Sequence, residues 1–66
     1  MTGAELSSIG TALEELTRRL TGIAEAAVGT EADWIAQELF EVERSLLRAR
    51  RQLSTVSDKV RRPARD

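Results

Sequence analysis

Apolar residues recur at alternating intervals of three and four along nearly the whole chain, and no other feature of the sequence limits its fold so tightly. Leu6, Ile9, Leu13, Leu16, Leu20, Ile23 and Ala27 follow this spacing, which keeps one apolar stripe on a single side of an α-helix. Ile35, Leu39, Val42, Leu46, Ala49, Leu53, Val56 and Val60 repeat it. That second run exceeds three heptads, the length at which a coiled-coil reading is preferred to an ordinary amphipathic helix. Each stripe needs another helix against it. The spacing therefore predicts an all-α protein, an antiparallel two-helix hairpin of coiled-coil type.

Between the stripes, Gly29 suits the left-handed residue that ends a helix. Thr30 followed three residues later by Asp33 resembles a capping box in which Asp replaces the usual Glu. These signals place a first helix at about 3–28, a turn at about 28–30 and a second helix at about 31–61. Thr2 and Glu5 form a second capping pair at the start, and Pro63 stops the second helix, leaving 63–66 as a frayed tail of the single domain 1–62. A turn centred between 29 and 30 sets residue i opposite residue 59 − i. Glu14 and Glu15 then meet Arg44 and Arg48, and Arg18 and Arg19 meet Glu38 and Glu41. Such exposed pairs contribute about 0.2–1 kcal/mol each and act mainly by penalising other alignments. The same register leaves Val56 and Val60 beyond the start of the first helix.

A 66-residue chain buries little core, and chains of this size are commonly stapled by disulfides, by metal or by self-association. With no Cys and no His, disulfides and the commonest zinc chemistry are absent. Self-association is the remedy left. Phe40, Leu47 and Trp34 fall outside the second stripe, so the hairpin alone does not account for them. Gly10, Thr17 and Ala24 flank the first stripe with small side chains, a track along which another helix fits closely. These six residues are the candidate interface. They suggest a homodimer forming a four-helix bundle, or a hairpin completed by a different protein partner.

Catalysis has few available groups. Without His, Cys or Tyr, and without a Gly-rich phosphate loop or nucleophile elbow, the sequence offers no catalytic residues and no cofactor-binding motif. Carboxylate pairs in di-iron bundles come with Glu-x-x-His, which this chain lacks, so no metal site is expected. The longest apolar runs fall far short of the roughly 20 residues of a membrane span. The opening Met1-Thr2-Gly3-Ala4-Glu5 lacks the basic and apolar segments of a secretory signal, and the reading is cytoplasmic. Abundant Ala, and Arg at nine of ten basic positions, fit a GC-rich bacterial coding sequence. A small non-catalytic adaptor or regulator acting by protein–protein contact is the function these features suggest.

Charge divides the chain. Residues 1–43 carry about −7 and residues 44–66 about +6, so the Arg-rich second helix is the place for a phosphate ligand, nucleic acid or nucleotide. Arg44, Arg48, Arg51 and Gln52 are the candidate contacts, although no aromatics are interleaved for base stacking. Glu41-x3-Ser45-x2-Arg48-x3-Gln52 resembles four of the five positions of the Glu-Ser-Arg-Gln-Asp motif of bacterial anti-sigma factors that bind cyclic di-GMP on an antiparallel coiled coil. The fifth position is Val56 where that family has Asp. The resemblance covers 12 residues; it implies Arg48 as a guanine or phosphate contact and a sigma factor as partner.

Overall fold

The computed structural model describes residues 2–61 and contains two helices packed against each other, α1 (Thr2–Ala27) and α2 (Asp33–Arg61). Pro63 and the tail assigned to 63–66 lie outside the described residues. At the end of α1, Gly29 takes φ +78°, the left-handed conformation that a Cβ opposes. Thr30 N–H then donates to the Ala27 carbonyl at 3.2 Å, and the Thr30 hydroxyl donates to the same oxygen at 2.7 Å. Two hydrogen bonds to the Ala27 carbonyl thus cap the end of α1.

The connection runs from 28 to 32 rather than 28 to 30, because Thr30, Glu31 and Ala32 form a further tight turn before α2 begins. Asp33 N–H donates to the Thr30 carbonyl at 3.0 Å, and Ala32 N–H donates to the Thr30 hydroxyl at 3.0 Å. The Asp33 carboxylate accepts from Gly29 N–H at 2.7 Å, one residue upstream of the Thr30 amide that a standard capping box would use. Its negative charge also sits in the first turn of α2, where the helix dipole favours it.

The register differs as well, by more than the two added loop residues alone would give. Thr21 meets Glu43, Glu14 meets Arg50, and the space beside Gly10 is bounded by Leu53, so residue i of α1 stands level with about residue 64 − i of α2. Charge pairs expected from 59 − i are therefore rearranged. Glu14 reaches Arg50 at 3.9 Å across the helices, while Glu15 pairs with Arg18 and Glu41 with Arg44 within their own helices. Val56 and Val60 no longer overhang; they stand level with the first turns of α1.

The contact between the helices is made by small side chains. Ala24, Ala36, Thr17 and Ser57 are buried, and among the described residues none of the large apolar side chains is fully enclosed. Leu6, Leu13 and Leu20 on α1, and Leu39, Leu46 and Leu53 on α2, are half-buried at the edge of this contact. Ile9, Leu16 and Ile23, expected to interdigitate with α2, are instead 50%, 51% and 59% exposed. Both helices are rotated about their axes so that half of each apolar stripe meets the other helix and half does not.

Two substitutions test this account. Gly29→Val should lower stability by roughly 1–2 kcal/mol, the cost of a left-handed residue bearing a Cβ, and Ala36→Leu by about 1–3 kcal/mol through overpacking. Thermal unfolding followed by circular dichroism measures both. An unchanged melting curve for Ala36→Leu would mean that the helices do not meet at Ala36.

Candidate functional site

The rotation gives the hairpin two unlike faces. In α1 the exposed column Ile9, Leu16, Ile23 follows the half-buried leucines by three residues, and the inward column Gly10, Thr17, Ala24 follows them by four. In α2 the same offsets place Val42, Ala49 and Val56 outward and Glu43, Arg50 and Ser57 inward. Steps of three and four turn in opposite senses from a given column. Because the helices are antiparallel, equal rotations away from their contact bring both exposed columns to the same face of the pair. That face presents Ile9, Leu16, Ile23, Val42 and Val56, each 44–59% exposed, flanking the two rows of half-buried leucines.

The opposite face is groove-shaped and mixes polar with apolar groups. The Thr21 hydroxyl donates to Glu43 Oε2 at 2.6 Å across the helices, and Thr17 turns its hydroxyl back to the Leu13 carbonyl at 2.6 Å. Nearer the open end of the hairpin, Gly10, Leu47, Arg50, Arg51, Ser54 and Ser57 help line a groove of about 350 Å³. Within it the Ser57 hydroxyl is buried without a hydrogen-bond partner. Arg50, at 28% side-chain exposure, crosses toward Glu14, so acidic and basic groups mingle along the groove.

The six candidate interface residues part company here. Thr17 and Ala24 are buried between α1 and α2, and Gly10 lies beside Leu53. Their small side chains let α2 of the same chain approach, so they offer no track to another chain. Phe40 is half-buried on the grooved side, Leu47 remains 39% exposed there, and Trp34 is 67% exposed near the turn. The dominant apolar surface is the one carrying Ile9, Leu16 and Ile23. Its signal was present in the sequence as the very stripe assigned to the hairpin's own contact.

Arg44, Arg48, Arg51 and Gln52 are all exposed and spread over more than two turns of α2; Arg51 lines the groove, and Arg44 pairs with Glu41. Ser45 and Glu41 are exposed on the same helix, so the four positions shared with the cyclic di-GMP motif face away from α1. Among the described residues, no group of three acidic side chains is arranged to hold a metal ion, and no helix is long and apolar enough to cross a membrane. Compared with protein-family models, with curated proteins and with solved structures, the chain matches none of them.

The orphaned hydroxyl makes a directional prediction. Ser57→Ala removes an unpaired buried polar atom, which costs about 1–3 kcal/mol when left unsatisfied, and substitutes the strongest helix former. The variant should be more stable than the parent, by up to about 2 kcal/mol in denaturant unfolding. A loss of stability would show that Ser57 makes a hydrogen bond the groove requires.

Proposed function

We propose that this chain is a non-catalytic helical interaction module, an adaptor or regulator that works through protein–protein contacts, and that its working unit is a homodimer in which two hairpins form a four-helix bundle. One observation carries this reading: Ile9, Leu16, Ile23, Val42 and Val56 share a single face and are each about half exposed, although the sequence spaces them as core. A large contiguous apolar face of this kind marks an interaction surface.

The scale of the face fits a second copy. Helices about 40 Å long, packed 8–10 Å apart, offer a flat side on the order of 800 Å², the area each partner brings to a standard interface. Burying each large side chain fully is worth roughly 1.5–3 kcal/mol, and a two-fold contact does so twice. Among the described residues the hairpin by itself encloses only Ala24 and Ala36 as apolar core, too little for independent stability in a domain of this size. With the apolar face turned inward, the charged outer sides of α1 and α2, Arg44, Arg48 and Arg51 among them, are what the dimer presents to its protein partner.

Sedimentation equilibrium distinguishes the face that matters. Leu16→Glu with Ile23→Glu should convert dimer to monomer at micromolar concentration and lower helicity. Phe40→Glu with Leu47→Glu, on the opposite face, should leave the dimer in place. The reverse pattern would move the interface to the grooved side, and a parent protein that sediments as a folded monomer would overturn the homodimer.

A further inference from the structure

We infer that the two-fold axis of this dimer runs parallel to the helices, so that each α1 lies on the partner's α2 and both turns come to the same end of the bundle. The inference rests on the proposed homodimer and adds its arrangement. Stacking two copies of one face by a two-fold rotation leaves two choices. With the axis along the helices, levels are kept and α1 covers the partner's α2. With the axis across them, levels are reversed, α1 covers the partner's α1, and the turns lie at opposite ends. Every neighbouring helix is antiparallel in both, so helix dipoles do not choose between them.

Side-chain volume does choose. The register places Ile9 within one residue of the level of Val56, Leu16 of Ala49, and Ile23 of Val42. The exposed column of α1 is therefore uniformly large, and that of α2 is Val, Ala, Val. With the axis along the helices, Ile9 meets the partner's Val56, Leu16 meets the partner's Ala49, and Ile23 meets the partner's Val42. Each layer then joins a larger residue to a smaller one, the alternation that fills a core evenly. With the axis across the helices, Ile and Leu would crowd one side of the bundle whatever the sliding offset. Val and Ala would leave the other side underfilled. Overpacking and voids each destabilise a core, and that arrangement combines them.

Edge charges are neutral in the choice. Lys59 comes near the partner's Glu5 in the first arrangement and near the partner's Glu38 in the second, and both pairs are attractive. The decision falls to the apolar layers.

Because the chain has no Cys, a single Glu31→Cys change in the exposed turn accepts one spin label per protomer. Pulsed dipolar spectroscopy on that variant should give an inter-label distance of roughly 10–20 Å, the span of neighbouring helices in a bundle. A distance of about 40 Å, the length of the helices, would overturn the arrangement while leaving the dimer intact. Absence of dipolar coupling together with monomeric sedimentation would overturn both.

Discussion

The close approach of α1 and α2 through Gly10, Thr17, Ala24, Ala36 and Ser57 is the contact on which the rest of the molecule depends. Small side chains fix how the helices are rotated, because only that rotation brings the two backbones together without a bulky residue between them. Rotation then decides what the large residues do. Had the helices met through Ile9, Leu16 and Ile23, the apolar stripes would have been spent inside the hairpin. Meeting through small residues turns those side chains 50–59% outward and builds a face.

Polar groups hold the other side of this rotation in place. Thr21 to Glu43 and Glu14 toward Arg50 tie the grooved face across the helices, where a partly shielded hydrogen bond to a charged group is worth more than one in open water. They also set the level of α2 against α1. A one-turn slip would part both pairs and break the matching of Ile9 with Val56 and Ile23 with Val42. Polar specificity on one face thus supports apolar layering on the other.

Much of this was legible in the sequence. The two helices, the left-handed Gly29 and the role of Thr30 and Asp33 near the turn follow from spacing and capping chemistry that act locally. The register was not legible: the Thr30–Ala32 turn lengthens the connection by two residues through hydrogen bonds among Ala27, Gly29, Thr30 and Asp33 that no single residue announces, and the cross-helix pairs Thr21–Glu43 and Glu14–Arg50 set α2 further along α1 than that added length alone would. Nor was the side of the stripe that α2 would occupy. A 3-4 repeat has two flanks, one step of three and one step of four from the leucines. Choosing between Ile9, Leu16, Ile23 and Gly10, Thr17, Ala24 depends on how closely two backbones can approach, which hydrophobicity alone does not report. Three of the six candidate interface residues drawn from the sequence, Gly10, Thr17 and Ala24, are therefore ones that the hairpin uses itself.

The central claim is that the Ile9–Leu16–Ile23 face is half of a core and that a second copy supplies the other half. Thermal unfolding of the unmodified chain across a hundredfold range of concentration tests this most directly, since folding coupled to dimerisation makes the midpoint depend on protomer concentration. Each tenfold increase in concentration adds about 1.4 kcal/mol to the apparent stability of the dimer against unfolded monomers, so the account predicts a midpoint that climbs steadily with concentration. A midpoint that stays fixed over that range would show that the hairpin folds alone, with its apolar face open.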